Sequence, residues 1–225
     1  LSLSRLAYDL EQIASPVLAA ALLAVLSYAN LFLGTVVGFV ASALLVVTAV
    51  LPDAPPAPEQ PTPFLERTQR GIRLMLRERP LRAVLWLNLA VAAPMAMVMV
   101  NTVVLVRAEL GLDEAALAWT LAIFGLGSMV VAFALPRVLE TVPERAVMLP
   151  GAVLGVVVLA VLAFLQPTYL LIAAVWLVLG AALSAMQTPI GRIIRAQAAD
   201  RDLGYVFAAQ FSLSHACYLI AYPVA

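Results

Sequence analysis

Seven apolar stretches, each close to the length of one membrane crossing, dominate this chain of 225 residues. A helix rises about 1.5 Å per residue, so about 20 apolar residues span the hydrocarbon core of a bilayer. The stretches run over 14–30, 31–51, 81–106, 115–136, 146–165, 168–189 and 204–225. The first two meet near Tyr28-Ala29-Asn30 and read as a hairpin, because together they are too long for one crossing. Hydrophobic residues make up 64% of the chain and charged residues 12%, with a mean hydropathy of +1.03. Soluble domains are about a quarter charged, and so few charges cannot clothe a water-exposed surface. The fold class that follows is an all-α integral membrane protein, a polytopic bundle of about seven transmembrane helices whose first partner is the lipid bilayer. The chain opens on Leu1 and stops within an apolar run, which reads as a piece of a longer protein.

Charge supplies the orientation. The formal net charge is zero, with 13 basic residues against 13 acidic ones, which leaves no field for nucleic acid. Every basic residue is arginine. Placing alternate loops on one side gathers Arg5, Arg67, Arg70, Arg73, Arg77, Arg79, Arg82, Arg137, Arg145, Arg192, Arg195 and Arg201, with only Arg107 opposite. By the positive-inside rule, the 52–80, 137–145 and 190–203 loops face the cytoplasm. The expected location is the cell (inner or plasma) membrane.

The 52–80 segment has two parts. Pro52, Pro55, Pro56, Pro58, Pro61 and Pro63 make an extended linker, and Thr62-Pro63 opens a short helix with proline in a favourable first-turn position. Phe64, Leu65, Thr68, Ile72, Met75 and Leu76 share one face of it, with Glu66, Arg70, Arg73 and Arg77 largely opposite. This pattern predicts an amphipathic helix on the membrane surface.

Within the spans, small residues spaced by four mark close helix packing: Gly34 with Gly38, Gly151 with Gly155, and Gly180 with Ser184. Pro94, mid-span, frees a carbonyl and is expected to kink its helix. His215 is the only histidine and lies near mid-depth of the last stretch. Imidazole titrates nearest neutrality of all side chains, so His215 either carries a coupling proton or binds substrate, or it is a neutral hydrogen-bonding group between helices. Asn88, Asn101, Thr102, Gln187, Thr188 and Gln210 are the other intramembrane polar groups, and Trp86 and Trp176 add aromatic surface. Asn88 and Asn101 differ by thirteen positions and are read as facing one cavity. Asp9 and Glu11 sit at the start of the first stretch, either at the cytoplasmic interface or, if the helix begins near Arg5, buried against protein with Asp9 paired to Arg5 at the i, i+4 spacing. Enzyme chemistry has no footing: there is no HExxH, GxSxG, P-loop or CxxC motif. One histidine and one cysteine, Cys217, give no metal site, no cofactor is called for, and without lysine no retinal Schiff base can form.

Two strings carry a family resemblance. Ser15-Pro16-Val17-Leu18-Ala19-Ala20 resembles the exporter motif GPxxGG, keeping the proline and replacing the three glycines. Gly127-Ser128 followed by Leu135-Pro136-Arg137-Val138-Leu139-Glu140-Thr141-Val142-Pro143-Glu144-Arg145 is similar to the loop motif GxLxDRxGRR, with Glu140 at the acidic position, Arg145 at the final basic one, and Thr141 where a basic residue is usual. With the two-bundle layout, these resemble efflux-type members of the major facilitator superfamily, over helices five to eleven of twelve.

The resemblance implies a partial version of that fold. Residues 1–51 would be the last two helices of the N-terminal bundle, 52–80 the cytoplasmic linker, and 81–225 five of the six C-terminal helices. It implies a secondary active transporter, a proton-coupled exporter or antiporter of small amphipathic molecules working by alternating access. Inverted repeats would pair the helix at 81–106 with that at 168–189, both lining a cavity. That singles out Asn88, Asn101, Trp176, Gln187 and Gln210 as substrate-pathway candidates, His215 as the proton-coupling candidate, and Arg137, Glu140 and Arg145 as a conformational latch. A non-transporting membrane scaffold or assembly protein built on the same helices is the alternative.

Overall fold

The structure is a computed structural model and describes residues 22, 28–49 and 64–225. Its regular elements are helical throughout the described residues. They are α1 (Tyr28–Thr48), α2 (Phe64–Arg77), α3 (Arg79–Val103), α4 (Glu114–Val138), α5 (Glu144–Phe164), α6 (Tyr169–Gln187), α7 (Ile190–Gln197) and α8 (Leu203–Val224). A π-helical turn, Val104–Glu109, extends α3. Five helical segments are long and apolar enough to cross a membrane, from Arg79–Glu109 to Asp200–Val224. They coincide with the last five apolar stretches of the sequence to within about four residues at each end, except that the 168–189 stretch continues through α7 to Gln197.

Tyr28, Ala29 and Asn30 are helical within α1, and residues 23–27 before them, where a joint to the preceding stretch would fall, lie outside the described residues. Gly34 and Gly38, expected to pack, have nothing within 4 Å of an added Cβ among the described residues. The Pro-rich linker, the 15–20 string, Arg5, Asp9 and Glu11 lie outside the described residues.

Helix directions follow from paired contacts. Asn88 and Asn101 of α3 bond to Gln210 and Ala225 along α8, so these two helices run parallel. The Tyr169 hydroxyl donates to the Ala116 carbonyl (3.3 Å), placing the starts of α4 and α6 together, also parallel. Gly151 and Gly155 of α5 meet Ala182 and Leu179 of α6, which therefore run antiparallel. This alternation puts Arg137, Glu144, Arg192 and Asp202 at one end of the bundle and Arg107 and Thr168 at the other. It agrees with the sidedness read from arginine counts.

Close approach between α4 and α6 depends on two glycines. A Cβ at Gly127 would lie 1.9 Å from the Leu177 carbonyl oxygen, and one at Gly180 would lie 2.0 Å from the Phe124 carbonyl oxygen. Lipid offers no hydrophobic drive to pull helices together, so backbone-to-backbone packing at glycine supplies the contact instead. Around this seam the buried core gathers Val91, Val98, Phe124, Ile172, Trp176 and Leu179. A second buried cluster joins Met75, Leu81, Val84, Ile194, Val206 and Ala209 at the arginine-rich end.

Candidate functional site: polar groups inside an apolar bundle

In hydrocarbon, an amide without a partner costs several kcal/mol, so polar side chains within a bundle are paired or face water. Asn88, on the second to third turn of α3, is buried. Its Nδ2 donates to Gln210 Oε1 at 3.0 Å, and Gln210 Nε2 donates back to Asn88 Oδ1 at 2.8 Å. Two amides thus close a reciprocal ring between parallel helices. Gln210 is only half-buried, so one edge of this pair remains reachable.

Asn101, thirteen residues further along α3, donates to the Ala225 carbonyl at 2.9 Å. Both asparagines therefore reach α8, although thirteen residues set them about 140° apart around an ideal helix. Between them the contact is lined with small residues: Ala92 and Ala96 pack on Ala221. Pro94 is buried within the helix, which continues past it to Val103 before the π-helical turn. Such turns cluster where a helix changes its register.

Trp176 is wholly buried. Its Nε1 donates to the Thr102 hydroxyl at 2.7 Å, and that hydroxyl in turn donates to the Val98 carbonyl. The indole is therefore a core anchor between α3 and α6, the two helices expected to be related by the inverted repeat. Trp86, by contrast, is 71% exposed and faces outward.

At the arginine-rich end of α6, Ser184 Oγ and Thr188 Oγ1 are buried with no hydrogen-bond partner among the described residues. Gln187, half-buried, lies between them in sequence and is not grouped with the Asn88–Gln210 pair. Ser184 was legible in the sequence only as a small packing residue.

His215 lies on the opposite side of α8 from the amide pair and is exposed. Its Nδ1 lies 2.7 Å from the Phe211 carbonyl one turn earlier. A carbonyl can only accept, so Nδ1 bears the hydrogen in that contact, leaving Nε2 as an acceptor directed away from the backbone. The imidazole is flanked by the Phe211 ring at 4.2 Å and the Tyr218 ring at 6.4 Å, and Tyr222 continues the row 5.6 Å beyond Tyr218. Five residues separate His215 from Gln210, about 140° around the helix, which is why the two do not share a face.

The three expected latch residues, Arg137, Glu140 and Arg145, are exposed around the α4–α5 turn. Among the described residues they form no ion pair with one another. Next to them Glu144 pairs with Arg192, Nε to Oε1 at 3.1 Å, joining the start of α5 to α7. Glu144 stands inside the string that drew attention to the loop, one position before Arg145. No spacing rule links it to a residue 48 positions away.

A family model described as Major Facilitator Superfamily matches residues 1–222. Neither a curated protein nor a solved structure matches the chain. The match covers the apolar helices, the linker and the polar groups just described, and members of that family are membrane transporters rather than enzymes. An all-helical bundle with five apolar crossings among its described residues fits part of that architecture. The chain is a multi-pass membrane protein belonging to the major facilitator superfamily.

Proposed function

We propose that this major facilitator transporter is a proton-coupled exporter of small amphipathic molecules, with 52–80 on the cytoplasmic side of the cell membrane and alternating access as its cycle. On this proposal 1–51 closes the N-terminal bundle and 81–225 supplies five helices of the C-terminal one. The observation that carries it is the reciprocal Asn88–Gln210 amide ring between α3 and α8. Paired amides inside a membrane satisfy each other when closed. When parted, they offer one donor and one acceptor apiece to a ligand with a polar edge on an apolar body. Asn101, Trp176 and Gln187 extend the candidate pathway along α3 and α6, and Arg137, Glu140 and Arg145 remain candidates for a latch that pairs in another state.

His215 supports the proton assignment. It is exposed on α8 with one ring nitrogen free to accept, and Tyr218 and Tyr222 are the titratable groups beside it among the described residues. In proteoliposomes holding the native protein, an imposed pH gradient should drive a fluorescent amphipathic cation against its concentration. His215→Ala should abolish that uphill movement and leave downhill exchange intact. Gradient-driven movement at the wild-type rate in His215→Ala removes the histidine from the coupling path, and no gradient-driven movement of any probe by the wild type favours the scaffold.

A further inference from the structure

In the second half of the linker helix α2, Ile72 and Met75 of its apolar face turn onto the bundle rather than onto lipid. Met75 is fully buried among Leu81, Val84, Ile194, Val206 and Ala209, and Ile72 packs beside it. Leu76, expected on the same face, is 53% exposed, and Leu74 packs in its place. The seat lies on the first turns of α8. A Cβ at Gly71 would stand 2.1 Å from the Tyr205 carbonyl oxygen and 3.0 Å from the Ala209 Cβ, so the two backbones touch at a glycine.

Charge closes the same contact. Arg70 Nη2 lies 2.6 Å from Asp202 Oδ1, a charge contact by distance in which that buried oxygen takes no aligned hydrogen bond among the described residues, and the Arg70 guanidinium carbon lies 5.5 Å from the centre of the Tyr205 ring. Asp202 is buried and immediately precedes α8, where the exposed N–H groups of a helix start favour an anion. Arg201 comes no nearer than 3.8 Å and is far more exposed. A carboxylate taken out of water needs a countercharge close by, and Arg70 is the one that the docked helix delivers.

We infer that Arg70 and Asp202 form a lock that fastens the linker helix to the start of α8, making α2 a rigid extension of the helix that carries Gln210 and His215. The linker is then a lever rather than a slack tether: displacement of the chain ahead of residue 64 reaches α8 directly. The inference rests on the membrane orientation and family assignment, and not on protons, export or any substrate. Arg70 and Asp202 are positioning residues, since neither touches the amide pair.

Accessibility of a buried reporter tests it. In the native protein carrying Cys217→Ser, Met75→Cys places a thiol beneath α2, and a membrane-impermeant maleimide is applied from the arginine-rich side. Arg70→Glu and Asp202→Arg should each raise the labelling rate at least tenfold, and the exchanged pair Arg70→Glu with Asp202→Arg should return it to within about threefold of the parent. Single variants that label at the parent rate overturn the lock, because packing alone then holds the helix. Raised labelling that the exchange does not reverse overturns it equally. Should a reversal variant fail to assemble, Arg70→Gln and Asp202→Asn are read by the first criterion, and labelling at the parent rate in both overturns the lock.

Discussion

Glu144 at the first turn of α5 and Arg192 on α7 meet at 3.1 Å, tying together two loops at the arginine-rich end of the bundle. The carboxylate is doubly placed, since the first turn of a helix also favours negative charge. Half of the Arg192 side chain is exposed, so water screens the pair and its contribution to stability is small. Replacing Glu144 with Gln should therefore cost less than about 1 kcal/mol in detergent unfolding. An Arg145→Gln variant should change stability less still, because no charge pair to Arg145 is formed among the described residues. A larger loss for Arg145→Gln than for Glu144→Gln would return the latch role to the residue that the loop motif points to.

The α4–α6 seam should be the least tolerant place in the bundle. Methyl groups at Gly127 and Gly180 would each fall about where a carbonyl oxygen already sits, against Leu177 and Phe124 respectively. No flexible side chain can swing aside there. Gly127→Ala or Gly180→Ala should cost about 1–3 kcal/mol as the helices are forced apart. Gly34→Ala should be close to neutral, with open space around it among the described residues. Thermal unfolding of the three variants in one detergent ranks them, and equal losses at Gly34 and Gly180 would contradict the seam.

Much of this architecture was legible in the sequence because a membrane leaves few alternatives. Length and apolarity locate the crossings, and arginine placement sets their direction, since both respond to the bilayer itself rather than to neighbouring helices. Asn88, Asn101 and Gln210 stand out for the same reason: amides in apolar runs are rare enough to notice. Their partners were not legible. The bonds joining Asn88 to Gln210 and Trp176 to Thr102 connect positions far apart in the chain, and no helical period relates them. The surface helix shows the limit most clearly. Its amphipathic pattern records that one face is apolar without recording whether lipid or protein covers it, and Met75 turns out to be covered by protein.

Trp176 should matter chiefly by its bulk. Its ring is fully buried among the α3, α4 and α6 side chains, and its Nε1 has one partner, the Thr102 hydroxyl. Trp176→Phe keeps most of the packing and loses one hydrogen bond, with an expected cost of about 1 kcal/mol. Trp176→Ala leaves a cavity between the helices and should cost about 3–5 kcal/mol. Thr102→Val tests the bond from the other side and should resemble Trp176→Phe. If Trp176→Phe instead removes transport at unchanged stability, the indole N–H acts on the ligand rather than on Thr102.

The Asn88–Gln210 ring allows the sharpest separation of packing from function. Either single replacement, Asn88→Leu or Gln210→Leu, strands an amide against hydrocarbon. Interhelical hydrogen bonds in membranes are worth about 0.6–2 kcal/mol, so each single variant should lose that much. The double Leu variant strands nothing and joins α3 to α8 through apolar contact. It should regain most of the stability lost by the singles, giving a coupling energy of about 1 kcal/mol or more in a double-mutant cycle. Transport should not follow stability. If the amides receive ligand when they part, the double variant is stable and inactive, whereas amides that only join helices would leave it stable and active. Unfolding and probe flux measured on the same four proteins distinguish the two outcomes.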